Sequence, residues 1–430
     1  MMVGILAMMG FNMTDTFFVA RLGTLPLAAM TLTFPIVMVV NSISLGISVS
    51  TSIAVSRAYG GNRSEDVKRL TTDSVSLGIL ISIVFALAVF FLLNPLLHVI
   101  EGDLPTHDLA RSYLVIWLFG VPFLFLTMIG NMAIRATGDT VTPSILIILS
   151  VVINIILDPL LIFGPGPFPR LGIAGAAWAT LFARGVTCIT VFWLLRVRKR
   201  MLISPFAGIG VVLNTWRNLL KNALPIGLNN LITPLQRGIL TRLLAGLSAP
   251  ILAGYGVAIR VESFTLTFIF ALQSVIGIFI GQNVGANQWD RVRRGVRFSE
   301  VFAFLNGLAA FILLISFGKL IARSFNNDTD VIKATYMYFM VAGITFGFRA
   351  VYLAGSAALN SLHHAVDATV ITIIYGLIVT AIAAWVGRYF WGAPGVFGGL
   401  ALGNLVGGLG TYFWLHRVIR KETEVSRTLR

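Results

Sequence analysis

The chain has 430 residues, of which 57% are hydrophobic and only 11% charged, with a formal net charge of +15 and a mean hydropathy of +0.88. Soluble domains carry about 25% charged residues, so the composition excludes a water-soluble globular protein, a disordered chain and a fibrous one. Roughly 245 apolar residues, at about 20 per span, suffice for about twelve membrane-crossing helices.

The first apolar window covers 1–20. It opens without a polar leader and without a cleavable signal sequence, so the first helix is expected to begin upstream of Met1. Further windows follow at 30–56, 72–100, 110–135, 142–164 and 172–195, and, after a basic polar stretch, at 217–245, 250–282, 298–322, 331–359, 366–390 and 395–416. These runs are too long for barrel strands, and backbone in lipid must satisfy its own hydrogen bonds, so they are read as helices.

Lysine and arginine orient the chain. With the N-terminus inside, the inner loops and tail hold 20 of them, from Arg57 to Arg430. The outer loops hold seven: Arg21, Arg111, Arg170, Lys319, Arg323, Lys333 and Arg388. Both termini are therefore expected on the cytoplasmic side of the plasma (inner) membrane. The outer loops also carry Glu101, Asp103, Asp108, Asp328 and Asp330. The basicity is topogenic and lipid-facing, so no nucleic-acid partner is expected.

The two halves repeat. SRAYGGNRSEDVKR (56–69) lies over GQNVGANQWDRVRR (281–294), and NMAIRATGDTVTP (131–143) over SAALNSLHHAVDA (356–368), both at an offset of 225. LGTLPLAA (22–29) over GLSAPILA (246–253) and GIAGAA (172–177) over GVFGGL (395–400) keep nearly the same offset. The expectation is two pseudo-symmetric six-helix bundles: an N-terminal lobe at 1–196, a linker at 197–216 with Pro205, Gly208 and Gly210, a C-terminal lobe at 217–417 and a basic tail at 418–430. Parallel repeats of this kind point to a transporter with its substrate held between the lobes.

Charges inside spans are costly and mark candidate sites. Asp15 lies in the first span with Asn12 three residues before it, on the same face. In the fifth span Ser150, Asn154 and Asp158 form one polar stripe at four-residue spacing, and Pro159 weakens the helical ladder there. Two carboxylates in one low-dielectric bundle compete for their charges, which makes a site for a proton or, through oxygen ligands, for Na⁺. Asp15 falls over Ile239 in the repeat, so the lobes are unequal. Asn41, Ser44, Ser48 and Ser52 line one face of the second span, either as cavity polar groups or as small residues that let helices approach. Thr180 reads in the same two ways. In the second half Gln236, Arg237, Arg242, Arg260, Glu262, Arg349 and Asp367 lie in or near spans. Glu262 is expected to pair with an arginine on a neighbouring helix. The single cysteine, Cys188, is a packing residue. His363–His364 has no metal-ligand spacing, and no phosphate-binding loop motif occurs. The acceptor sequence Asn62-Arg63-Ser64 falls on the cytoplasmic side, where it is not glycosylated.

TDTFFVARLGTLPLAAMTLTFPI (14–36), AIRATGDTVTP (133–143), NIILDPLLIFG (154–164), GIAGAAWAT (172–180) and VGANQWDRVRR (284–294) together resemble the multidrug and toxic compound extrusion (MATE) transporters, within the multidrug/oligosaccharidyl-lipid/polysaccharide flippase superfamily. The resemblance extends over nearly the whole chain. It implies a non-enzymatic antiporter that exports amphiphilic or cationic small molecules, is driven by an H⁺ or Na⁺ gradient, alternates between outward- and inward-open states and works as a monomer without a cofactor. It carries over Asp15, Asn154, Asp158 and Thr180 as the cation-coupling cluster. Asn12, Asn41, Ser44, Ser48, Gln236 and Glu262 are the candidates for the substrate cavity. LITPLQRGIL (231–240) lacks the seventh-span carboxylate that some members use for Na⁺. A lipid or lipid-linked oligosaccharide flippase is the alternative, kept open by Arg184, Arg237, Arg242, Arg260 and Arg349. No nucleophile–base pair supports a membrane enzyme.

Overall fold

A computed structural model describes residues 2–101, 106–204 and 208–428, and among these there is no strand. Asp103, Pro205 and Arg430, and the side chain of Asn12, lie outside the described residues. The helices are α1 (Met2–Ala20), α2 (Thr24–Gly60), α3 (Ser64–Glu101), α4 (His107–Phe119), α5 (Val121–Ala136), α6 (Val141–Phe163), α7 (Ile173–Trp193), α8 (Ile209–Ala245), α9 (Ala249–Thr265), α10 (Thr267–Gly285), α11 (Trp289–Phe325), α12 (Thr329–Val341), α13 (Phe346–Ser361), α14 (Ala365–Thr372), α15 (Thr380–Trp391) and α16 (Ala393–Thr428). Nine described helical stretches are long and apolar enough to cross a membrane, or ten if α4 and α5, bent by 48°, make one span. The twelve spans expected from the sequence are reached when α1 and the more polar α8 are counted with them.

Each break has a local cause or a repeat partner. Between α4 and α5 stand Gly120 and Pro122, and Pro122 has no N–H for the ladder. The corresponding place in the second half, one repeat offset further on, is the 3₁₀ turn Gly343–Thr345 between α12 and α13. α6 runs on through Pro159 and ends at Gly164, whose φ of 64° is a left-handed cap. The remaining irregularities are two π-helical turns, Leu194–Arg198 after α7 and Ile373–Val379 between α14 and α15, and the one-residue break at Leu266 between α9 and α10.

The chain divides into two compact units, residues 1–227 and 228–430. The division thus falls inside α8, beyond the linker expected at 197–216. The first turns of α8 belong to the N-terminal unit. The Ser50 hydroxyl donates to the Leu219 carbonyl (2.8 Å), and the Trp216 indole donates to the Asp73 carbonyl (2.9 Å). Gly46 of α2 leaves no room for a Cβ against the Ala223 carbonyl. The stretch expected to be a tail from 418 is also helical through Thr428, because Val418 and Ile419 are buried against Leu362 and Leu415.

In the N-terminal unit Val40, Ile47, Leu114, Trp117, Phe125, Ile129 and Leu219 make the main core. In the C-terminal unit Leu240, Tyr255, Tyr338, Phe346 and Phe397 do so. The outer surfaces are apolar: Phe91 is 77% exposed, Phe298 71% and Trp385 67%. Water does not tolerate a surface like this, and hydrocarbon does. Tyr389, Phe390 and Trp391, at the end of α15, are exposed together, as an interfacial aromatic belt requires.

Candidate functional site

α1 and α6 lie side by side and run the same way. Gly4 is next to Ser144 at one end, and the Phe18 and Phe163 rings are 6.3 Å apart at the other. That register brings Asp15 to the level of Asp158. Both carboxylates are buried, at 5% and 0% exposure, and close enough for their charges to act on each other. Asn154 sits one turn before Asp158, and its amide donates to the Asp158 Oδ1 (3.2 Å). The same Nδ2 lies 3.5 Å from the Thr180 hydroxyl of α7. Asp15, Asn154, Asp158 and Thr180 therefore meet in one buried cluster from three helices.

Three oxygens of this cluster, Asp15 Oδ1, Asp158 Oδ2 and Asn154 Oδ1, are buried without a hydrogen-bond partner. Unpartnered buried oxygens of this kind are expensive unless a proton or a cation visits them. The set fits a proton on either carboxylate, or a small hard cation ligated by carboxylate, amide and hydroxyl oxygens.

Two further residues complete the surroundings. Arg184, one turn after Thr180 on α7, acts electrostatically on Asp15, and its guanidinium lies over the Trp117 ring (5.2 Å). Tyr113, one turn before Trp117 on α4, is buried beside both carboxylates and Arg184. The sequence alone offers Arg184 only as a sign of a cationic cavity. The four-residue step from Thr180 to Arg184 is the available signal for its place in the cluster.

The other candidates lie elsewhere. Ser44 and Ser48 are fully buried in α2, with the Ser44 hydroxyl on the Met128 sulfur (3.2 Å) and the Ser48 hydroxyl on the Ser44 carbonyl (2.7 Å). The Asn41 amide bonds the Val37 carbonyl of its own helix (2.8 Å). Gln236 of α8 donates to the Thr380 hydroxyl (3.2 Å). Glu262 of α9 is buried and ion-paired with Arg349 of α13, the arginine partner expected for it, and it also accepts the Tyr338 hydroxyl. Tyr338 is the repeat counterpart of Tyr113, so each unit has a buried tyrosine at the same repeat position next to a carboxylate and an arginine. The two centres differ in pairing: the one around Glu262 is matched by Arg349, whereas the one around Asp15 has two carboxylates and one arginine.

Comparison with known proteins agrees with this architecture. The family model described as MatE matches residues 1–160 and again 225–386, two matches offset by the repeat distance found above. The chain is 34% identical over 418 residues to a protein of Shewanella oneidensis named FAD transporter, covering 97% of this chain and 92% of that one. It is 28% identical over 392 residues to a probable multidrug resistance protein NorM of Bacillus cereus, covering 88% and 84%. A crystal structure of a mutant of the Vibrio cholerae MATE transporter VcmN superposes with a TM-score of 0.92 at 26% identity, over 98% of this chain and 94% of that one. With two family matches along its length and the twelve-helix fold shared with that structure, the chain belongs to the MATE family of membrane transporters.

Proposed function

We propose that the protein is a secondary active exporter of small amphiphilic organic solutes in the cytoplasmic membrane, driven by entry of H⁺ or Na⁺ and acting as a monomer. The observation that carries this reading is the buried cluster of Asp15, Asn154, Asp158 and Thr180 with its three unpartnered oxygens. A carrier couples two fluxes only if one ligand changes the relative stability of its two access states. Neutralising Asp15 and Asp158 removes a mutual repulsion between α1 and α6, so the protonated or Na⁺-bound cluster packs differently from the empty one. Asn154 and Thr180 then orient the carboxylates, and Arg184 keeps the cluster from carrying two uncompensated charges.

Two solute classes follow from the relatives. The buried acidic pair favours a cationic amphiphile, in keeping with the relatives named probable multidrug resistance proteins. The FAD transporter, similar over 97% of this chain, favours an anionic flavin nucleotide. The test uses proteoliposomes with a pH gradient and a Na⁺ gradient imposed separately, and ethidium and FAD as probes. Gradient-driven movement of one probe, reduced at least tenfold in Asp15→Asn and in Asp158→Asn, is expected. The probe that moves names the solute class and the effective gradient names the ion. Folded protein that moves neither probe under either gradient overturns the reading, as does undiminished transport in both variants.

A further inference from the structure

A groove of about 740 Å³ opens at the end of the C-terminal unit where α11 turns into α12. Its polar rim is cationic: Lys319, Arg323 and Lys333. Its wall is apolar, with Tyr336, Met337 and Met340. The volume is that of a small-ligand site, but the arrangement differs from a solute pocket in one respect. The charges lie at the polar ends of the spans and the apolar wall runs down the side of the bundle, where Met340 is 52% exposed.

The charges are placed and available. The Lys319 ammonium is held 4.9 Å over the Tyr336 ring, and the Tyr336 hydroxyl is tied to the Ile315 carbonyl (3.3 Å). Neither Lys319 nor Arg323 has an ion pair among the described residues. Lys333 pairs only with Asp330 (3.1 Å), with both side chains more than two-thirds exposed, and water leaves such a pair weak.

The internal repeat supplies a control. Counting back by the repeat offset, Lys319 and Tyr336 fall on Asn94 and Arg111, which also touch each other (3.2 Å). Arg323 falls on His98 and Lys333 on Asp108. The scaffold is thus present in both units, while the three-cation rim belongs to the second alone. It also runs against the overall charge distribution: three of the seven basic residues expected on that side of the membrane converge on this one groove.

We propose that this groove is a binding site for an anionic phospholipid, with the phosphodiester of the headgroup on Lys319, Arg323 and Lys333 and one acyl chain along Met337 and Met340. A cationic rim at headgroup depth above an apolar wall is complementary to that ligand and to neither half of it alone. The proposal requires only that the chain spans the membrane, and holds whatever solute is carried.

The test measures the thermal unfolding midpoint of the detergent-purified protein with added phosphatidylglycerol, phosphatidylcholine of the same chain length, or inorganic phosphate, at low and high salt. Phosphatidylglycerol is expected to raise the midpoint by several degrees more than phosphatidylcholine, less so in high salt, while inorganic phosphate has no effect. The variant Lys319→Gln/Arg323→Gln/Lys333→Gln is expected to lose the excess, and Arg111→Gln to keep it. Arg323→Gln alone, at an exposed position, is expected to lose about half and keeps the test decisive if the triple variant does not fold. Equal shifts with the two lipids in the wild type, an undiminished excess in the variants, or a full shift from inorganic phosphate overturns the proposal.

Discussion

At the scale of single residues, the two buried acidic centres behave differently because their charges are differently matched. Glu262 has Arg349 as its ion-pair partner and Tyr338 as a hydrogen-bond donor. A buried pair of this kind adds little net stability over an apolar replacement, yet breaking one side is costly because it strands the other charge. Glu262→Gln is therefore expected to destabilise the C-terminal unit by about 3–5 kcal/mol, read as a fall in the unfolding midpoint. Glu262→Gln/Arg349→Met is expected to recover a large part of that loss, and a double variant no better than the single one would sink this account. Asp15 and Asp158 offer the opposite arrangement. Asp15 Oδ1 and Asp158 Oδ2 are buried without a hydrogen-bond partner, a condition that costs stability.

At the scale of elements, the turn between α5 and α6 shows how a lobe closes its polar end. Gly138, with φ 94°, reverses the chain. Asp139 then accepts the N–H of Thr142 (3.0 Å), the Thr142 hydroxyl (2.7 Å) and the Lys199 ammonium (2.7 Å), which arrives just past the π-helical turn after α7. Burial pushes the Asp139 carboxyl up, but the Lys199 and Thr142 hydrogen bonds outweigh it and hold the group at about 2, below its ordinary 3.8. A carboxyl depressed in the folded state stabilises the fold above its unfolded value and loses that contribution as pH falls from about 4 through about 2. After allowance for screening by water this is worth about 1 kcal/mol. Asp139→Asn is expected to lower stability by that amount at pH 7 and to match the wild type near pH 2, as denaturant titrations at the two pH values check. The repeat position in the second unit is His364, after a left-handed His363 (φ 66°). It holds Asp367 (2.7 Å) and lies 3.6 Å from Glu422 on α16, so the same closure is made with an imidazole in the place of the carboxylate.

At the scale of the whole molecule, the sequence repeat and the lysine and arginine bias carry the expectation that the turns at Ser64 and Gln288 face one side of the membrane and those at Asp108 and Asn327 the other. In a Cys188→Ser background, Ser64→Cys and Gln288→Cys are expected to react with a membrane-impermeant thiol reagent only from the cytoplasmic side. Asp108→Cys and Asn327→Cys are expected to react only from the opposite side. Reaction of Ser64→Cys and Gln288→Cys from different sides would overturn the parallel repeat, and a full reversal would overturn the orientation.

Span number, repeat and lobe order were legible in the residues because hydropathy in a bilayer is a local property: a window of about 20 residues either crosses or does not. The polar stripe of Asn154 and Asp158 was legible for the same reason, since positions one turn apart on a helix share a face. Other features depended on how separate helices are rotated and set in register against each other. These include the meeting of α1 with α6 that joins Asp15 to Asp158, the approach of Arg184 from α7, and the choice of Arg349 as the partner of Glu262. They also include the seating of the first turns of α8 in the N-terminal unit, where Gly46 lets the Ala223 carbonyl come close. Such contacts are decided by small residues, hydrogen bonds and packing between helices far apart in the chain, and only the folded structure brings those residues together.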